Sequence, residues 1–297
     1  MVDIVHGATG AQGSPVLSAL IAAGHTAIAA VRRPEAVPAG IATRQVDLAS
    51  ADSLTSTYEG ADGVFIHLPM GTSEVAAAQA RAVVEAVTRA HPGRVVISTS
   101  GQIIDQPDSP LQAPADSPIM TLIDGVTASG VPMAVVAPRL YLENLLLPVV
   151  LGPVREEGVL RYPLPASFPV SWSSHLDVAE VVARLLTDAS PTTGTVGVGH
   201  LPGLTGPDLA AAFSSYLGRE VRFEGITPEA FGELITPLFG PAAAPVVDLY
   251  RTLNAQDGST IAEGSSAQEL LGLRPRPIGQ WLEDLAVSSP HSPTFSS

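Results

Sequence analysis

Neither cysteine nor lysine occurs in this chain; all 15 of its basic residues are arginine. Without cysteine there is no disulfide, no thiolate catalysis and no cysteine-ligated metal. Without lysine, no ammonium group can lower the pKa of a neighbouring tyrosine or close a phosphate-binding Gly-Lys-Ser/Thr loop. Charge is scarce as well, at 15% of residues, and unbalanced, with 29 acids giving a net charge of -14. The surplus is spread evenly: 7 Arg and 13 acids lie in residues 1–150, and 8 Arg and 16 acids in residues 151–297. No basic patch invites a polynucleotide, and a bound phosphate must rely on local arginines and backbone N–H groups against an unfavourable overall field.

Long apolar runs are also missing. Residues 140–151 are interrupted by Glu143, Asn144 and Pro148, and a bilayer needs about 20 apolar residues, so no membrane span is expected. The first residues already read as a strand carrying Asp3, with Gly7 following at once, which leaves no space for a signal peptide and makes the cytoplasm the expected location. The seven histidines show no His-Glu-x-x-His pairing, and there is no Gly-x-Ser-x-Gly elbow. A metal site, a metalloenzyme and a serine hydrolase are therefore not expected.

The 297 residues are 45% hydrophobic, enough for a sizeable core. Short β-rich runs at 2–6, 26–31, 43–46, 63–67, 94–98 and 133–137 alternate with helical stretches such as 75–90 and 119–128. That alternation predicts an α/β fold with a Rossmann-type, doubly wound parallel sheet. Beyond about residue 150, Pro and Gly become frequent, and caps such as Thr205-Gly-Pro207 and Thr227-Pro228-Glu229 open helices. Residues 175–186 and 195–198 resemble a helix and strand returning to the main sheet. The expected division is a dinucleotide-binding domain over 1–150 with 175–198, and a smaller helix-rich substrate lobe over 151–174 and 199–297. The Ser/Pro-rich end, 287–297, is expected to fray.

Gly7-Ala-Thr-Gly10-Ala-Gln-Gly13 lies directly between the first strand and an amphipathic helix. In that context the glycines serve a tight turn, close approach of backbone to a pyrophosphate, and packing of helix on strand. Gly7, Thr9, Gly10, Ala11, Gln12 and Gly13 are thus candidate cofactor ligands. An NAD site usually has an acid at the end of the second strand. Here Arg32 and Arg33 stand there and favour the 2′-phosphate of NADP(H), the other reading being two solvated surface arginines. Asp47 and Leu48 fit positions near the adenine, and Asp47 could instead cap the following helix. The strand tips at His67-Leu68-Pro69, Ser98-Thr-Ser100 and Pro138-Arg-Leu-Tyr141 should surround the nicotinamide. Tyr141, Ser100 and His67 are the candidate proton donors. Trp172, Phe168, Phe213 and Phe231 could be pocket walls or simply core.

These residues resemble the NmrA-like group of atypical short-chain dehydrogenase/reductases. The likeness rests on the glycine loop, Val31-Arg-Arg-Pro34, Gln45-Val-Asp-Leu48, Ala61-Asp-Gly-Val-Phe65, Ser129-Gly-Val-Pro132, Arg139-Leu-Tyr-Leu-Glu-Asn144, His175-Leu-Asp-Val-Ala179, Leu204-Thr-Gly-Pro-Asp-Leu-Ala210, Tyr216-Leu-Gly-Arg-Glu220 and Ile278-Gly-Gln-Trp-Leu282. The resemblance implies a Rossmann domain, a small lobe closing over the nicotinamide, and NADP(H). It also implies one of two roles: an NADPH-dependent reductase of a small apolar quinone, enone or activated carbonyl, or a non-catalytic NADP(H)-sensing regulator. A homodimer is compatible with either. The Tyr-x-x-x-Lys pair of standard members cannot exist here. The lysine of isoflavone reductase-like relatives is missing too, where this chain has residues 119–124.

Overall fold

The computed structural model describes residues 1–189 and 192–288, so most of the Ser/Pro-rich end lies outside the described residues. In chain order the elements are β1 (Val2–His6), α1 (Gly13–Ala22), β2 (Thr26–Val31), β3 (Thr43–Gln45), α2 (Ala51–Tyr58), β4 (Gly63–His67) and α3 (Ser73–Ala90). Then come β5 (Val95–Ser98), α4 (Pro118–Ser129), β6 (Met133–Pro138), α5 (Pro148–Glu157), β7 (Val159–Tyr162), α6 (His175–Thr187) and β8 (Gly194–Val198). The remainder are α7 (Gly206–Leu217), β9 (Arg222–Gly225), α8 (Pro228–Phe239), α9 (Ala243–Asn254), α10 (Ala267–Leu271) and α11 (Ile278–Ser288).

Contacts divide the chain into two units. The first comprises Met1–Pro138, His175–Val198 and Ala262–Leu273. Its sheet has seven parallel strands in the order β3-β2-β1-β4-β5-β6-β8. A parallel sheet is covered on both faces, which explains why its central strands carry consecutive buried apolar residues, Ile4-Val5, Val64-Phe65-Ile66 and Val95-Val96-Ile97, rather than strict alternation. Ile4, Val64, Ile66, Val95 and Ile97 form one core with Leu54 and Tyr58 of α2, Ala80, Val83 and Val87 of α3, and Ile119, Leu122 and Val126 of α4. Helices α1 and α6 pack on each other, with α6 against β4, β5 and β6. The segment 262–273, assigned to the smaller lobe in the sequence reading, packs α10 on β8 and α6. The strand order reverses between β1 and β4, and that crevice at the carboxyl ends is where open α/β sheets take ligands.

The second unit contains Arg139–Ser174, Gly199–Ile261 and the chain from Arg274 onward. Two short strands missed in the sequence reading, β7 and β9, pair in parallel there. Each has four residues, and their pairing joins segments about 60 positions apart, so no local alternation announces them. Tyr162, Trp172, Phe231 and Tyr250 pack edge to face or tilted with ring centroids 5.4–5.8 Å apart, and the Tyr162 and Tyr250 hydroxyls are hydrogen-bonded.

Residues Pro228–Asn254 are long and apolar enough, by length and composition, to cross a membrane. They are not one straight rod. Arg251 Nε lies 2.7 Å from Glu229 Oε1, and the rings of Phe231 and Tyr250 are 5.6 Å apart. In a continuous helix residues 229 and 251 would be about 33 Å apart. The chain turns at Gly240-Pro241 and α9 folds back on α8.

Two expected outcomes follow from the first unit. His6 is fully buried and shares a 2.7 Å hydrogen bond with Tyr58 Oη; burial and nearby His67 lower its pKa to about 3. Burial, with His67 again close, lowers His175 to about 4. Both are neutral when folded, whereas the unfolded chain takes up two protons as pH falls through the ordinary histidine range near 6.5. Stability is therefore greatest above that range and is lost on acidification, these two groups together raising the unfolding constant by up to about a hundredfold per pH unit between roughly pH 6 and 5. Urea titrations at a series of pH values measure this, and His6→Gln should remove about one proton from the slope. Gly13 opens α1 so close to β1 that a Cβ would collide with the carbonyl oxygens of His6 and Gly7. Gly13→Ala should cost about 1–3 kcal/mol in chemical denaturation and abolish dinucleotide binding in calorimetry.

Candidate functional site

The site is assembled in the first unit from the turn after β1. Gly7 has φ +60, a left-handed conformation that glycine adopts without penalty. The Gly10 N–H closes the turn on the Gly7 carbonyl at 2.7 Å. Helix α2 is capped by Ser50, α3 by Thr72, α4 by Ser117 and α8 by Thr227. Helix α1, in contrast, has no side-chain cap and no acid in its first turn. The N–H groups of Thr9 and Ala11 have no protein partner among the described residues. Thr9, Gly10 and Ala11 are exposed and Gln12 is half-buried. These donors, at the positive end of the α1 dipole, suit an anion such as a pyrophosphate.

His67, at the tip of β4, packs under this turn. A Cβ on Gly7 would lie 2.5 Å from His67 Nε2, so glycine is required there for shape as well as for φ. Burial lowers the His67 pKa, and Nε2 has no hydrogen-bond partner among the described residues. The ring is therefore a neutral imidazole at physiological pH and a weak acid. With His6 and His175 it makes a group of neutral histidines behind the strand tips. Among the described residues no three His, Asp or Glu side chains converge to hold a metal.

Ser100, beyond β5, also has a left-handed backbone, φ +55, without being glycine. Gln12 Nε2 donates to its Oγ at 2.9 Å, and Ser98 Oγ donates to Gln12 Oε1 at 2.8 Å. The glycine turn and the β5 tip are thus tied by a side chain that the sequence reading treated only as part of the phosphate turn. Partners 86 and 88 positions away left no local signal.

Arg32 and Arg33 follow β2 and are both exposed; the Arg32 carbonyl accepts from Gln45 Nε2 at 3.2 Å. Asp47 is exposed as well. It does not cap α2, a role taken by Ser50; its Oδ1 accepts from Ala49 N at 2.9 Å, making a short turn. Leu48 and Leu68 are half-buried against the α2–α4 side of the core, and Pro69 is half-buried beside Leu68.

Tyr141 belongs to the second unit, where it is half-buried and its backbone bridges to Ser173. In that unit Trp172, Phe168, Phe213 and Phe231 are all at most 5% exposed. They are core. The void beside Trp172 and Phe168 is about 10 Å³, space for one water at most.

The model of the NmrA-like family matches residues 4–282. An NAD(P)H azoreductase of Xenophilus azovorans is 29% identical over 286 residues, covering 89% of this chain and 96% of that protein. A (4-alkanoyl-5-oxo-2,5-dihydrofuran-3-yl)methyl phosphate reductase of Streptomyces griseus is 28% identical over 306 residues, covering 99% of each. The solved structure of a Citrobacter sp. triphenylmethane reductase complexed with NADP(H) superposes with a TM-score of 0.79 at 19% identity, over 96% of this chain and 99% of that one. That of an Escherichia coli NADPH-dependent quinone oxidoreductase complexed with NADPH gives 0.75 at 22% identity, over 96% and 99%. With a family match over nearly its whole length, the chain belongs to the NmrA-like family.

Proposed function

We propose that this chain is an NADPH-dependent oxidoreductase that delivers hydride to a small, apolar, electron-poor acceptor such as a quinone, an enone or an activated carbonyl. The observation that carries the reading is the uncapped, acid-free start of α1 behind the Gly7 turn. Exposed N–H donors with no partner among the described residues suit a bound phosphate, and the residues present fit the group: glycines where a side chain would collide, and Arg32 and Arg33 at the end of β2, where the 2′-phosphate would lie. The reductase names of the two curated relatives support the same reading.

The bound dinucleotide supplies the hydride. The chain supplies hydrogen bonds rather than strong acids, because it has no lysine and its site histidine is neutral. Such a site suits acceptors that hold negative charge well after hydride addition. Ser100 and His67 are the candidate donors of the first unit.

The competing reading, a non-catalytic NADP(H) sensor acting on a protein partner, draws on the same lack of a strong acid. Absorbance of NADPH with purified protein and a panel of quinones and enones separates the two. Consumption well above the protein-free rate is expected, whereas tight binding without turnover on any acceptor would favour the sensor. Replacing both arginines, Arg32→Ala with Arg33→Ala, should weaken NADPH binding about a hundredfold through loss of charge-assisted bonds to phosphate. NADH binding should change less than about threefold, and an equal loss for both nucleotides in calorimetry would refute the 2′-phosphate assignment.

A further inference from the structure

We infer that Gln12 is a positioning residue for reduction: its amide holds the Ser100 hydroxyl as a hydrogen-bond donor toward the acceptor oxygen that becomes negative. The inference deepens the reductase reading and rests on it.

Three bonds close a ring. The Ser100 N–H donates to Ser98 Oγ at 3.2 Å, Ser98 Oγ donates to Gln12 Oε1 at 2.8 Å, and Gln12 Nε2 donates to Ser100 Oγ at 2.9 Å. The polarity of this ring is not arbitrary. A backbone N–H can only donate, so Ser98 Oγ is an acceptor on that side. Ser98 is 1% exposed, and its own proton finds its acceptor in Gln12 Oε1. Turning the amide over would leave that buried proton unpaired. The NH₂ end of Gln12 therefore faces Ser100. A hydroxyl has one proton and two lone pairs. One lone pair of Ser100 Oγ is taken by Gln12, and its proton has no partner among the described residues.

Location completes the argument. Ser100 follows β5 at the carboxyl edge of the sheet and is half-buried. Its φ of +55 is a costly conformation for a serine, of the kind found where surrounding bonds over-determine a residue. Gln12 reaches it from the turn after β1, across the tip of β4. The loop suited to the pyrophosphate thereby also sets the donor two strands away. In the reaction an electron pair and one hydrogen pass from reduced nicotinamide to the acceptor, which leaves oxidised nicotinamide and a negative acceptor oxygen. The Ser100 O–H bonds that oxygen as charge develops, and water then protonates it, so Ser100 itself loses no proton.

The test compares Gln12→Met, Ser100→Ala and the double variant Gln12→Met with Ser100→Ala. Gln12→Met should lower kcat for a quinone about tenfold or more, with KM changed less than about threefold and the NADPH dissociation constant raised by clearly less than kcat falls. Ser100→Ala should match it, and the double variant should be no worse than the worse single one. A readout without turnover is the ionisation of 4-nitrophenol bound to the NADP⁺ complex. The wild type should favour the phenolate, and its pKa should rise by about one unit in Gln12→Met and in Ser100→Ala. Additive losses, a fall in nucleotide affinity as large as that in kcat, or an unmoved nitrophenol pKa would overturn the role of Gln12. If Gln12→Met does not fold, Gln12→Leu takes its place. If the wild type reduces no acceptor, the reductase reading fails, and the nitrophenol pKa alone decides whether Gln12 orients a donor.

Discussion

The first turn of α1 is pressed onto the end of β1 so closely that at Gly13 no side chain fits between the helix and the carbonyls of His6 and Gly7. Everything else about the site depends on that contact. It aims the helix axis at the crevice where the strand order reverses, and the Thr9 and Ala11 N–H groups there have no partners among the described residues. Beside it Gly7 is left-handed, and its lack of a side chain leaves the space that the His67 ring fills from β4. A side chain at either glycine would push the helix or the ring away. The turn is thus a packing solution first and an anion site as its consequence.

Behind that turn the chemistry is uncharged. His6, His67 and His175 are all held neutral, chiefly by burial and, for His6 and His175, also by the nearby His67. The hydroxyls of Ser98 and Ser100 are linked through an amide rather than to a carboxylate or an ammonium. A net charge of -14 makes the surrounding field unfavourable to a dinucleotide, so binding has to come from short-range donors whose geometry is set in advance. Exposed arginines beyond β2 are the complement: they cost little to keep in water and can meet a phosphate bidentately.

The family resemblance and the sheet were legible because the signals are local and repeated. Five-residue apolar strands, a glycine turn between strand and helix, and caps such as Thr227 all depend on neighbours in sequence. The short pair β7 and β9 was not legible, because four-residue strands take their identity from a partner far along the chain. Asp47 illustrates a different ambiguity: Asp and Ser can take the same capping role within a few residues, and in the structure Ser50 caps α2 while Asp47 closes a short turn with Ala49. The aromatics of the second unit were ambiguous in sequence, since a ring suits a core and a pocket wall equally until its exposure is known.

By itself the sequence determined the class of fold, the turn that could hold a pyrophosphate, and the exclusion of every mechanism that needs cysteine or lysine, since composition and spacing along one segment suffice for these. Tertiary structure alone decided that His67 lies against Gly7, that Gln12 joins Ser98 and Ser100, and that His6 is a buried partner of Tyr58. Those contacts form between strand tips that the parallel crossovers bring side by side, and a crossover of dozens of residues leaves no trace in the local pattern.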